Sequence, residues 1–252
     1  MSSIFKSGNP ALSEKIFSKT VTGQNENTMT EKGTLNKFGL LLLLLIAAAS
    51  FTWKAASEGK NVMGWMIGGA IVGLILVLIL SFKPQLSSYL APAYALAEGV
   101  FLGAISAYYN NAFAETAPGI IMQAVGLTFG VVIAMFALYR FGIIKATEKF
   151  KAIVFTATAG IAIFYLISIV LRMFSIQMPL IHESSTMGIV FSFVVVGIAA
   201  LNLILDFDMI ERGSALGAPK YMEWYAAFGL TVTIIWLYIE VLRLLSKFAG
   251  RK

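Results

Sequence analysis

The run VMGWMIGGAIVGLILVLILSF, Val62 to Phe82, carries no charged residue over its whole length. As a helix rising about 1.5 Å per residue, it is long enough for the ~30 Å hydrocarbon core of a bilayer. A helix apolar on every side has no face to give to water, so lipid or a large protein core must surround it. Other apolar segments precede and follow it, at about Phe38–Trp53, Tyr89–Tyr109, Gly119–Ile144, Ala152–Leu171, Met187–Asp208 and Met222–Leu245. The fold class read from this pattern is all-α: a polytopic membrane protein whose seven-transmembrane-helix bundle occupies residues 38–252. The first segment is short for a span of ~20 residues, so it requires tilt, a thinner bilayer or a helical start before Phe38.

Composition agrees. The chain of 252 residues is 58% hydrophobic and 13% charged, about half the charge of a soluble domain, with a mean hydropathy of +0.82. Its formal charge of +6 lies in short clusters between apolar runs. Such clusters orient helices and meet anionic lipid headgroups, and no aromatic and basic platform for nucleic acid accompanies them. With no cysteine there is no disulfide, thiolate site or Cys-ligated metal, and a single histidine, His182, leaves no His-based metal site or triad. Residues 1–37 are polar and rich in Ser, Thr, Asn and Lys, which reads as a disordered N-terminal tail. The first apolar run then serves as an uncleaved first helix.

Lys and Arg counted by loop orient the bundle. With the N-terminus inside, twelve lie inside and seven outside, led by the basic loop RFGIIKATEKFK, Arg140 to Lys151. The C-terminal tail runs against this count, because seven complete spans place Arg243, Lys247, Arg251 and Lys252 outside. Either the rule is broken there or one segment does not cross, the last being the candidate because Glu240 and Arg243 interrupt it. Three segments carry GxxxG, at Gly69–Gly73, Gly99–Gly103 and Gly126–Gly130. That spacing lets helix backbones approach closely and speaks for packing, not for function. No internal repeat of the transporter kind is visible.

The informative residues are acids inside apolar segments, where a carboxylate costs ~2.5–3.5 kcal/mol on insertion scales and usually faces a bundle interior or a watery path. Glu98 stands about ten residues into the third segment with no basic neighbour one turn away. It is a functional acid or a neutral carboxyl hydrogen-bonded in the core. Asp206 and Asp208, the only aspartates, lie in LNLILDFDMIERG, Leu201 to Gly213. On a helix they point about 200° apart, Asn202 shares the face of Asp206, and Arg212 follows as a screen. Glu223 opens the last segment. Glu240, in IIWLYIEVLRLL, continues a mixed stripe of Gly229, Thr233 and Trp236, and Arg243 three residues on can pair with it. Two carboxyls brought close share a proton and titrate nearer neutrality. Their oxygens also suit a hard cation such as Ca²⁺, bound weakly with so few ligands. No catalytic constellation appears: Ser192 sits in GIVFSF without a GxS motif, no lysine precedes Lys247 in the last helix, and no phosphate loop is present. The chain is not expected to be an enzyme, and no cofactor is expected beyond Ca²⁺ as a transported ion.

Four stretches carry a resemblance over about Thr34 to the C-terminus: GTLNKFGLLLLL, YALAEGVFLGAIS, LNLILDFDMIERG and WLYIEVLRLL. With them the chain resembles the Bax inhibitor-1 superfamily, the transmembrane Bax-inhibitor-motif proteins, in a bacterial branch. The resemblance implies a compact seven-helix bundle with the last helix central, in a bacterial cytoplasmic membrane. It also implies a pH-sensitive cation leak, best attested for Ca²⁺, gated by a hydrogen-bonded pair of acids. Carried over, that pair is Asp208 and Glu240, also the weak Ca²⁺ site, with Lys83 as a basic latch and Arg243 as another. Two departures stand out. Glu replaces the family's seventh-helix Asp, and the 32-residue spacing from Asp208 to Glu240 is about two helical turns longer than usual. The two meet only if KYMEWYAAF forms an interfacial extension or the sixth helix kinks or ends early. Otherwise the pairs are Asp208 with Glu223 and Glu240 with Glu98. A second reading is a non-conducting modulator of a membrane partner such as a membrane-bound protease, for which the polar tail is the motivating feature.

Overall fold

The structure, a computed structural model, describes residues 28–174 and 185–251. His182 lies outside them. The helices are α1 Glu31–Ser57, α2 Met63–Phe82, α3 Ser87–Ala112, α4 Ile120–Arg140, α5 Glu148–Met173, α6 Thr186–Ala215 and α7 Met222–Ala249, with a 3-10 turn at Pro84–Leu86. All seven are long and apolar enough to cross a membrane, so the protein is an all-α integral membrane protein.

The short first segment is resolved by an early start. Thr30, in extended backbone, caps α1 by accepting from the Gly33 N–H at 3.0 Å, and Glu31 adds a carboxylate to the first turn. Residues 31–37, which the sequence reading placed in the tail, are therefore the first two turns of a 27-residue helix. Thr147 caps α5 in the same way, with Glu148 at its first turn and Arg172 at its last.

The chain divides into two compact units. Of the described residues, the first holds 28–112 and 208–232, the second 113–174, 185–207 and 233–251. In the first unit α3 packs against both α1 and α2. Glycines set these approaches. A Cβ on Gly99 would lie 2.7 Å from the Ala48 Cβ of α1, and one on Gly69 would lie 2.7 Å from the Ala97 carbonyl of α3. Two of the three GxxxG pairs thus do the packing expected of them. The third, Gly126–Gly130 of α4, meets no neighbouring helix within 4 Å among the described residues. Its spacing has no packing role there. In the second unit Phe207 of α6 lies edge-on to Phe136 of α4 at 5.3 Å, and Phe164 of α5 meets Phe191 of α6 at 5.2 Å.

The last helix belongs in part to each unit. Of its most apolar stretch 67% is buried, against 6% for α5, whose outward side chains are left for lipid. Its start is tied to the start of α1: Thr28 and Pro219 form an antiparallel bridge, and the Met29 N–H donates to the Ala218 carbonyl at 2.6 Å. Ser87, opening α3, donates its hydroxyl to the Tyr221 carbonyl at 2.9 Å. The starts of α1, α3 and α7 thus meet within the first unit. The last helix is uninterrupted for 28 residues, so Glu240 and Arg243 do not break it.

At the C-terminal end of α7 the described basic residues are engaged. Arg243 pairs with Glu240, Lys247 donates to the Gly188 carbonyl at 2.8 Å, and Arg251 donates to the Thr186 hydroxyl at 2.8 Å. Bases held by protein partners weigh less in orienting a helix than free ones in a loop. A test is straightforward because the chain has no native cysteine. Single Lys60→Cys and Arg251→Cys variants should label with an impermeant thiol reagent from one face of a sealed vesicle, and Lys83→Cys from the other. Labelling of Arg251→Cys from the Lys83 face would contradict seven crossings.

Candidate functional site

Each acid named from the sequence stands in a definite place, and the partners are mostly bases and hydroxyls. Glu223, fully buried at the first turn of α7, is the most heavily bonded. It accepts from the Thr30 N–H at 2.9 Å and the Thr30 hydroxyl at 2.8 Å, pairs with Lys220 at 2.9 Å, and pairs also with Lys37 of α1. Gly33 makes this possible, since a Cβ there would overlap the Glu223 carboxylate. Lys37 lies in addition over the Trp224 ring, 5.6 Å from its centroid. This clasp joins the first helix to the last.

Glu240 lies 17 residues further along the same helix, about 26 Å of rise, and is 1% exposed. Arg243 reaches its two carboxylate oxygens at 2.7 and 2.9 Å, and the Tyr165 hydroxyl of α5 reaches the same oxygens at 3.0 and 3.1 Å. Arg243 also donates to the Tyr165 oxygen at 2.6 Å and stacks over its ring at 5.0 Å. The acid, the guanidinium and the phenol form a closed triangle. A buried pair of this kind is costly to break on one side, because the charge left behind has neither partner nor water.

The two aspartates separate as helical geometry demands. Asp206 is fully buried in the second unit on the face of Asn202, whereas Asp208 opens the first unit's share of α6. Asp208 pairs with Arg212 one turn on, at 2.9 Å, with the arginine 43% exposed. Of the two, Asp206 is the more deeply buried, at 0% exposure against 13% for the Asp208 side chain. Glu98 is half-buried in α3 and lodges its carboxyl against Gly73 of α2, where a Cβ would overlap it. Among the described residues it has no hydrogen bond or ion pair.

Among the described residues neither Glu223 nor Glu240 takes another carboxyl as its partner. Both α6 and α7 run unbroken, and KYMEWYAAF leads straight into the first turns of α7. Lys83, the suggested latch, caps α2 with its backbone and leaves its side chain exposed, whereas Arg243 does hold an acid. Among the described residues no three His, Cys, Asp or Glu side chains gather as a metal site. The partners missed from sequence are Thr30, Lys37, Lys220 and Tyr165. Thr30 and Lys37 carried a signal, since 30, 33 and 37 share one face of a helix, but the apolar count began at Phe38.

The family model described as Bax inhibitor 1 like matches residues 9–250. The chain belongs to that family. No curated protein matches it.

The clasp makes a direct prediction. Glu223→Gln loses charge-assisted bonds to two lysines and should cost about 1.5–3 kcal/mol, read as a lower melting temperature in detergent. Thr30→Ala should cost about 1 kcal/mol through the lost cap. Wild-type melting for Glu223→Gln would contradict the clasp.

Proposed function

We propose that this Bax inhibitor-1-like protein is a pH-sensitive cation leak, with Ca²⁺ as the ion, set in a bacterial cytoplasmic membrane with its N-terminus inside. The observation that carries the reading is the buried triangle of Glu240, Arg243 and Tyr165 within membrane-spanning helices. An ionisable residue at such depth is a functional site by default, and this one is a lock that a proton can open. Among the described residues Tyr165 of α5 and Arg243 of α7 bond the Glu240 carboxyl, and Lys247 stands two turns further along α7. Protonation of Glu240 removes the only negative charge of the set. The guanidinium then draws in water or another partner, and the interface between α5 and α7 loosens. The sign follows: acid favours the open form and alkali the closed one. Asp206, Asp208 and Glu98 supply further oxygens for a passing cation, and weak binding suits passage.

The test is Ca²⁺ flux into liposomes across the neutral pH range. Glu240→Gln imitates the protonated acid. Its flux at the alkaline end should exceed wild type by about tenfold, the effect of ~1.4 kcal/mol on the gate, and its pH dependence should flatten. Flux and pH response unchanged from wild type would overturn the reading. The alternative, a non-conducting modulator of a membrane-bound protease, rests on the tail, which joins the fold at Thr28 beside the start of α7. Deleting residues 1–27 should leave the leak intact and would abolish a tail-dependent interaction.

A further inference from the structure

Asn202 stands near the middle of the 30-residue α6 and is 1% exposed. Its amide nitrogen donates to the Thr158 hydroxyl of α5 and to the Ile198 carbonyl, both at 2.8 Å. A carbonyl only accepts, so the Ile198 contact fixes which end of the amide is nitrogen. The amide oxygen is therefore turned away from Ile198, and it is fully buried with no hydrogen-bond partner among the described residues. A buried acceptor without a donor costs about 1–3 kcal/mol, and one at mid-membrane depth has no bulk water to relieve it. One turn on, on the same face, stands the fully buried Asp206. Residues so spaced have Cβ atoms about 5–6 Å apart, close enough for one ion to meet both side chains. All three residues belong to the second unit.

We propose that Asn202 Oδ1 and the Asp206 carboxylate, with Thr158 Oγ1 at their edge, form a binding site for a small hard cation at mid-membrane depth. The donor set is carbonyl, carboxylate and hydroxyl oxygen, the chemistry that Ca²⁺ and Mn²⁺ prefer over nitrogen or sulfur. With one formal negative charge and three protein oxygens, against the 6–8 of a tight Ca²⁺ site, the ion keeps part of its water shell and binds weakly. A count of acids alone overlooks this site, because it contains only one. The proposal deepens the leak reading by naming where the ion pauses, yet binding is measurable without flux.

The experiment is Mn²⁺ titration of the purified full-length protein in detergent, followed by electron paramagnetic resonance of the free ion. Glu58→Gln serves as a surface control, since Glu58 is paired with Lys60 in the loop after α1. Wild type and the control should bind Mn²⁺ alike. Asn202→Leu and Asp206→Asn should each weaken binding by at least about tenfold, the loss of one charge-assisted contact, and Thr158→Val by less. Thr158→Val keeps the side-chain shape and guards against a misfolded Asn202 variant. Binding lost in Asp206→Asn but unchanged in both Asn202→Leu and Thr158→Val would overturn the site as drawn. So would a folded wild type that binds no Mn²⁺ beyond what Asp206→Asn binds. Binding with this mutational pattern in a protein that passes no Ca²⁺ would keep the site and remove the leak.

Discussion

A carboxylate carried into hydrocarbon must be neutralised where it stands, and this constraint organises the protein. At the start of α7 two lysines and a threonine surround Glu223; deeper in the same helix an arginine and a tyrosine surround Glu240. The two solutions differ in consequence. Around Glu223 the bases come from α1 and from the turn before α7, and the lysines are 21% and 49% exposed. Water can relieve them if the acid is lost, so the arrangement is an anchor. Around Glu240 the arginine is 25% exposed and the acid 1%. There, one base from the acid's own helix and one tyrosine from α5 hold the carboxylate, so loss of the acid leaves the guanidinium without its counter-charge.

The helix that carries both is the most buried, and its polar residues follow from that burial. A helix that faces lipid on most sides can be free of charge, as α2 is, and small residues then set its distance from neighbours. Gly69 and Gly99 do so by letting backbone approach backbone. Gly33 and Gly73 serve otherwise, opening space for the carboxylates of Glu223 and Glu98. Glycine in this fold makes room for charge as well as for helices.

Much of the fold was legible because a membrane span is a one-dimensional signal: length and hydropathy suffice, and tertiary context seldom overrides them. Seven segments from sequence became seven helices, with their ends shifted by caps that hydropathy does not register. Thr30 is the main case, lying among polar residues that looked like tail. The acids were visible for the same reason that the spans were, as interruptions of apolar runs. Their partners were not. Lys37 and Tyr165 are distant in sequence from Glu223 and Glu240, and only packing brings them together. Helical spacing placed Arg243 beside Glu240 and separated Asp206 from Asp208, because those relations are local. Family likeness, which travels by aligned positions, weighted Asp208; the buried member of the pair is Asp206.

The central claim is that Glu240 takes up a proton inside the membrane and that this releases Arg243. Infrared difference spectroscopy on acidification reads it directly through the C=O stretch of a protonated carboxyl. The account requires a band that appears in wild type and is missing in Glu240→Gln. A band of equal size in Glu240→Gln, or none in wild type over the range in which Ca²⁺ flux changes, would contradict it.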